Sequence, residues 1–409
     1  MSYLELGGWL LPRWVLLLSI CGYPLLAGIS AAAGLENRPL SIAFRSLVIV
    51  IALAAISHSY ALGRNRSDRV FWTLWWIFWC TYLFRMAFDL TIADSARNFP
   101  WIEYVGFSIG GGLVPALAMA YSMPDRVCQS GARYLVWLSL AGVLINGWVV
   151  VFEEGLIGVL QLAGLRAESQ FLNPIALGHL GVTLSLGSLW SMVRMVEPGN
   201  LERAFFLACL IVGLVVLVAS GSRGPTLSLV VCIALLVVME RRRLRAAPTI
   251  ALAVLLGIPA YLVLAEIQAS FWFDRLSQSA LQDDTRVQLM QTAWDSFLES
   301  PVLGAGIDPH FSYPHNLVIE AFMAGGLLTG LTFVGILGYA AAVAIRAWSS
   351  VRNESWVLLL YFQYAVGAMV SGSLYTSTTL WVLMVAVVSL WELYRRDDIV
   401  RLVALVHER

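Results

Sequence analysis

The sequence predicts an all-α integral membrane protein with about twelve transmembrane helices, and three observations predict it. Of the 409 residues, 59% are hydrophobic and 13% charged, against roughly a quarter charged in soluble domains. Mean hydropathy is +0.77. Apolar runs of about 20 residues, the length that crosses a bilayer core about 30 Å thick, recur from end to end. A water-soluble enzyme is thereby excluded. The 26 basic and 26 acidic residues cancel, which leaves no bulk positive footprint for a nucleic acid partner. All of the basic residues are arginine, permanently charged and able to grip a phosphate or carboxylate through two parallel hydrogen bonds.

The runs lie at 14–33, 40–62, 70–92, 101–122, 133–153, 172–193, 203–221, 224–240, 247–268, 315–345, 355–373 and 376–394. The arginines between them orient the chain. Arg13 precedes the first run, and Arg64, Arg66 and Arg69 separate the second from the third. Arg126 and Arg133 fall between the fourth and fifth, Arg194 and Arg203 between the sixth and seventh, and Arg241, Arg242, Arg243 and Arg245 between the eighth and ninth. Arg346 and Arg352 follow the tenth; Arg395, Arg396, Arg401 and Arg409 follow the twelfth. The positive-inside rule puts these connections and both termini in the cytoplasm. The opposite connections carry Arg38, Arg97, Arg166, Arg223, Arg275 and Arg286. Arg13 and an apolar run ending in Ser30-Ala31-Ala32-Ala33 also fit a secretory signal, but the many spans that follow make a retained helix the more economical reading. The five cysteines are scattered without Cys-x-x-Cys spacing and read as small apolar side chains.

Residues 1–409 read as one membrane domain, with no internal repeat and no soluble module. One connection, 269–314, is long and external, and loops of that length in compact proteins are usually functional. Within it Asp283 and Asp284 precede Arg286, and Val287, Met290, Trp294, Phe297 and Leu298 recur at helical spacing until Ser300-Pro301. That pattern predicts an amphipathic helix on the outer membrane face or on the bundle, with Arg286 in its first turn.

An ionisable side chain in hydrocarbon costs about 2.5–3.5 kcal/mol on insertion scales, so each one in or beside a span is a functional candidate. Arg223 sits in the tight external turn Ser220-Gly221-Ser222-Arg223-Gly224-Pro225; a snorkelling arginine at a helix end is the structural alternative. Arg45 lies toward the outer end of the second span. Arg85 and Asp89, four residues apart on the third, share a face and can pair. Asn173-Pro174 opens the sixth span, with His179 less than two turns deeper, where a lone histidine is more often packed than catalytic. The densest pattern runs Ser300-Pro301-Val302-Leu303-Gly304-Ala305-Gly306, Tyr313-Pro314-His315-Asn316-Leu317-Val318-Ile319-Glu320 and Gly325-Gly326-Leu327-Leu328-Thr329-Gly330. Pro314 predicts that the tenth span begins with His315 at its external end. An imidazole there titrates near neutral pH and can meet both a hydroxyl in water and a phosphate at the membrane. Gly325, Gly326 and Gly330 are expected to open one helix face to close packing.

Together, Ser222-Arg223-Gly224, Arg286 with Trp294 and the 300–306 turn, His315-Asn316 and Asn173-Pro174 resemble the O-antigen ligase and polymerase superfamily. The resemblance spans about residues 170–390. The family's His-Asn, nine residues, Gly-x-x-Gly signature is met at Gly326 but not at its last position, where Thr329 stands before Gly330. The resemblance implies a fold of the membrane glycosyltransferase type C class and glycan transfer from undecaprenyl diphosphate on the periplasmic side of the inner membrane. It maps the family's two essential arginines onto Arg223 and Arg286 and its essential histidine onto His315, with Arg275 as the other basic residue of the long loop.

The chemistry such a reaction needs is to hold a diphosphate, stabilise its growing charge and present a hydroxyl. No external Asp-x-Asp or carboxylate-rich cluster suggests a metal, so two arginines in place of Mg²⁺, no cofactor, and direct displacement with inversion are expected. Arg223, Arg286 and His315 are the expected catalytic residues; Arg275, Asn316, Arg45, Arg85 and Asn173 are the further expected substrate contacts. The expected partners are an undecaprenyl-diphosphate-linked glycan and, as acceptor, lipid A-core for a ligase or a second lipid-linked glycan for a polymerase. A secondary transporter is the alternative from another class, but its coupling residues would sit near the midplane of repeated halves. Here the ionisable candidates gather at the outer interface.

Overall fold

The computed structural model describes residues 11–61, 68–91, 99–122, 129–161, 171–194, 199–240, 286–309 and 314–407. These form helices α1 (Leu11–Ala32), α2 (Asn37–Ala61), α3 (Arg69–Thr91), α4 (Trp101–Tyr121), α5 (Gln129–Gln161) and α6 (Pro174–Arg194). α7 (Asn200–Ser220), α8 (Arg223–Glu240), α9 (286–299), α10 (Leu317–Ala347), α11 (Ser355–Ala368) and α12 (Thr378–His407) follow. Among the described residues there is no strand, and nine helices are long and apolar enough to cross a membrane. Each predicted run coincides with a helix except the ninth, 247–268, which lies outside the described residues. α11 stops at Ala368, short of the predicted 373, because the chain then turns into an irregular connection that enters the candidate site.

α3 is not among those nine although its 23 residues form a continuous helix. Its sequence carries Trp72, Trp75, Trp76, Trp79 and Tyr82, whose polar N–H and O–H groups lower its apolar character, as do Arg69, Arg85 and Asp89. Those rings make the core instead: Trp75, Phe78 and Trp79 pack against Trp381 of α12 with centroids 5.6, 5.0 and 5.0 Å away, and Phe333 of α10 closes the cluster. Elsewhere small residues set the spacing. A Cβ at Gly181 of α6 would stand 2.7 Å from the Gly213 carbonyl of α7, so those backbones touch as small-residue membrane interfaces do.

Two helices widen into π geometry, α1 at Leu18–Gly22 and α4 at Gly106–Leu113. α10 is broken. Gly325 has φ −127° and ψ 15°, and Gly326 has φ 73° and ψ −163°, a region only glycine occupies comfortably. The turn after α9 docks into the break: Leu327 N–H donates to the Pro301 carbonyl at 2.8 Å, and Ala305 N–H to the Met323 carbonyl at 2.7 Å. A Cβ at Gly326 would come within 2.4 Å of the Val302 carbonyl oxygen. This corrects the expectation of an unbroken packing face: Gly325 and Gly326 admit a loop, while Gly330 lies under the ring of Phe322, which would stand 2.3 Å from a Cβ at that position.

Candidate active site at one end of the bundle

The N-terminal ends of α6, α8, α10 and α12 gather at one end of the bundle around residues 369–377, the connection between α11 and α12. The Ser220–Pro225 turn sits against α6, since a Cβ at Gly178 would meet Ser220 Oγ at 2.7 Å and Pro225 at 2.9 Å. The same turn meets the connection, with Val370 Cγ2 only 2.8 Å from a Cβ at Gly224. Gly221, at φ 54°, closes α7 in the left-handed conformation and lets the chain reverse. Arg223 thus opens α8 beside Val370, where the exposed N–H groups and positive end of a helix favour an anion.

α10 reaches the connection from another direction. The helix begins at Leu317, two residues later than the sequence suggested, because Asn316 is its cap. Asn316 Oδ1 accepts from Val318 N–H and Ile319 N–H at 3.0 and 3.1 Å, and Nδ2 donates to the Met369 carbonyl at 3.1 Å. Both ends of its amide are occupied, which gives this expected substrate contact a positioning role. His315, the next residue out, is held at φ 56°, a left-handed conformation uncommon for a residue with a side chain. Burial, and then the positive charge of Arg286, hold its imidazole below the usual histidine pKa of 6.5.

Arg286 reaches His315 through a chain of backbone placements. α9 is anchored at its far end by the turn in the α10 break. Near that same end it is also held by Phe297, 7% exposed, whose ring lies 5.2 Å from that of Phe322 on α10. Val287, Trp294 and Leu298 stay exposed, so α9 packs one edge on the bundle and leaves an apolar face uncovered. Asp283, Asp284 and Arg275 lie outside the described residues.

Arg85 has partners within the protein. It pairs with Asp89, with Nε–Oδ1 and Nη2–Oδ1 both 2.9 Å, and donates Nη1 to the carbonyls of Leu303 and Gly304 at 3.0 and 2.8 Å. Asp89 Oδ2 accepts from Ile307 N–H at 2.9 Å. The pair therefore braces the turn that fills the α10 break, a fuller form of the structural pairing its spacing suggests.

Sequence reasoning gave no role to the acidic residues that hold the connection. Glu320, 3% exposed and one turn into α10, accepts Leu374 N–H with both carboxylate oxygens at 3.0 and 3.1 Å. Asp308 accepts the hydroxyls of Tyr104 and Tyr375 at 2.8 and 3.0 Å. Burial, and then the charges of Asp308 and Glu320, raise the Tyr375 hydroxyl well above its ordinary pKa, so it remains a donor. Asn316 and Glu320 grip the connection at two points from one face of α10. The available signal was a carboxylate inside an apolar span; the partner, a backbone N–H far along the chain, was invisible.

Arg45 and Asn173 meet elsewhere at this end of the bundle. With His179, Ser371, Thr376 and Ser377 they line a cavity of about 440 Å³ between α1, α2, α4, α6 and the connection. Arg223, Arg286 and His315 are not among its lining residues. The connection separates the two groups: Met369 and Val370 meet Asn316 and Gly224, while Ser371 and Gly372 face the cavity.

Residues 208–334 match the sequence model of the O-antigen ligase family. Over that segment the chain is similar to the O-antigen ligase family. The matched segment runs from within α7 to within α10 and contains Arg223, Arg275, Arg286, His315 and Asn316; Arg45, Arg85 and Asn173 lie outside it. No curated protein matches the chain. The apolar helices indicate a multi-pass membrane protein, and the matched segment is similar to that of O-antigen ligases.

Proposed function

We propose that this protein is a member of the O-antigen ligase superfamily that transfers a glycan from undecaprenyl diphosphate to a sugar hydroxyl of lipid A-core, at the periplasmic face of the inner membrane and without a metal. The observation that carries the reading is His315, held in a left-handed conformation beside Arg286 with its pKa depressed, next to Asn316, which grips the same connection that Arg223 approaches. A depressed pKa keeps the imidazole neutral near pH 7, so a lone pair is ready to take a proton. In the step, the acceptor hydroxyl gives its proton to His315 and its oxygen attacks the anomeric carbon. The bond from that carbon to the diphosphate oxygen breaks, and the electron pair leaves with undecaprenyl diphosphate. Attack opposite the leaving group inverts the anomeric centre. Arg223 and Arg286 take up the charge that the diphosphate gains, at the positive end of α8 and beside His315.

The test is transfer by the purified full-length protein, given undecaprenyl-diphosphate-linked glycan and lipid A-core in the presence of EDTA. Wild type should form product of inverted configuration. His315→Ala should lose at least about 100-fold in rate, the lower end of what a general base contributes. Arg223→Lys and Arg286→Lys should lose most of the activity because lysine lacks the bidentate fork. Full transfer by His315→Ala, or a strict need for divalent metal, refutes the mechanism. Product formed only with a second lipid-linked glycan assigns the polymerase reaction instead.

A further inference from the structure

The cavity beside the connection has its own chemistry. Among the described residues its one charged lining residue is Arg45, whose guanidinium carbon lies 4.0 Å from the centre of the Phe107 ring and 5.9 Å from that of Tyr23. Among the described residues Arg45 makes no ion pair, and neither Asp nor Glu lines the cavity. Two further lining residues have unmet hydrogen-bonding capacity: Ser19 Oγ and His179 Nδ1 are buried with no hydrogen-bond partner among the described residues. Asn173 uses Oδ1 to cap α6 through Ala176 N–H at 2.8 Å, which leaves its NH₂ as a donor. Buried polar groups without partners are rare in folded proteins, and two of them share this space with a cation.

The walls are held for this shape. Both π-helical stretches face the cavity, Leu18–Gly22 through Ser19 and Gly106–Leu113 through Gly110 and Gly111. Such bulges occur often at functional sites. The His179 ring is stacked on Tyr364, 5.5 Å between centroids, and a Cβ at Gly367 would stand 2.5 Å from it. The rest of the lining includes Leu18, Ile20, Val48, Ile175 and Leu380, so the space suits an anion carried on an apolar body. Its volume of about 440 Å³ falls in the range of ~300–1,000 Å³ usual for ligand sites.

We propose that this cavity is a second anion site that takes a phosphoryl group of the acceptor glycolipid, with Arg45 as its charge and Ser19, Asn173, His179 and Ser371 as polar contacts. The inference rests on the donor chemistry proposed above, in which Arg223 and Arg286 already hold the diphosphate. A second cation on the other face of the connection then serves the other substrate. An acceptor anchored there lies one strand of chain, Ser371–Gly372, away from the face on which Asn316 and His315 sit.

The experiment measures binding to the purified full-length protein in nanodiscs. The probes are lipid A bearing its phosphates, the same lipid enzymatically dephosphorylated, inorganic phosphate, and undecaprenyl diphosphate. Wild type should bind phosphorylated lipid A at least tenfold more tightly than the dephosphorylated form. Arg45→Gln should abolish that preference while keeping its affinity for undecaprenyl diphosphate. Arg45→Lys should fall between them, and His179→Phe, which keeps the stacked ring but lacks Nδ1, should weaken binding several-fold; these two variants carry the test if Arg45→Gln does not fold. Equal affinity for the two lipids, a preference that survives in all three variants, inorganic phosphate binding as tightly as the lipid, or joint loss of lipid A and undecaprenyl diphosphate would each overturn the proposal. Failure of the donor reading looks different: undecaprenyl diphosphate would then bind Arg223→Lys and Arg286→Lys as it binds wild type.

Discussion

Arg194 and Arg45 lie at opposite ends of the bundle in opposite circumstances. The Arg194 side chain, 5% exposed, is ion-paired with Glu240, 2% exposed, and Trp348 Nε1 donates to the same carboxylate at 2.8 Å. That end ties α6, α8 and the end of α10 together, and its charges are matched inside the protein. Arg45 has aromatic faces and a cavity, and the carboxylate whose charge reaches it, Glu103, is ion-paired with Arg38 instead. The contrast separates two uses of a charge in an apolar bundle. One is balanced by the chain itself and holds helices together; the other is left for a ligand to balance. Arg85, with its carboxylate and two carbonyls, belongs with Arg194.

The largest effect that would test this division is on stability. Glu240→Ala leaves Arg194 buried without its carboxylate and should cost about 3–5 kcal/mol of unfolding free energy, with transfer per folded molecule unchanged. Replacing both partners by apolar residues, Arg194→Met with Glu240→Leu, should recover most of that loss. Denaturant unfolding in a fixed detergent reads both. A Glu240→Ala protein as stable as wild type would remove the basis for treating this end as structural.

A smaller effect should appear at the site end and in the rate. Glu320→Ala strands the Leu374 N–H and loosens the connection; kcat should fall about tenfold, ~1.4 kcal/mol in the barrier, with little change in the donor KM. Glu320→Gln keeps an acceptor oxygen and should retain most of the rate. Equal kcat in wild type and Glu320→Ala would show that the connection needs no such clamp.

The smallest effect is a displacement along the pH axis. His315 acts as a base only when neutral, so transfer falls as pH drops through its pKa, which lies below 6.5. Loss of the Arg286 charge lets that pKa rise. The acid limb of residual transfer by Arg286→Gln should therefore move to higher pH, whereas Arg286→Lys, which keeps the charge, should leave it in place. An acid limb that is the same in both variants would detach His315 from Arg286.

Much of the fold was legible because a bilayer imposes a length. Even α3 could be placed, since its aromatic run fits a span although its tryptophans and Tyr82 lower its hydropathy. Arg223 and His315 were legible as a charge and an imidazole at the ends of apolar runs, and Arg286 as a charge in the first turn of the amphipathic helix of the long loop. What escaped notice depends on contacts distant in sequence. The pairing of Glu320 with Leu374 is one example, and the division of labour between Asn316, which caps a helix, and Asn173, which both caps a helix and lines a cavity, is another. Gly325-Gly326 was visible as small residues, but only the turn at Pro301–Ala305 explains why both are needed.

The docked turn also makes angular phase a constraint. α9 leaves its anchor in the α10 break and delivers Arg286 one helix-length away, and an α-helix rotates by about 100° per residue. A single residue inserted between Phe297 and Arg286 would swing the guanidinium to another side of α9 while leaving every contact of the anchor intact. Composition in this stretch is therefore freer to change than residue count.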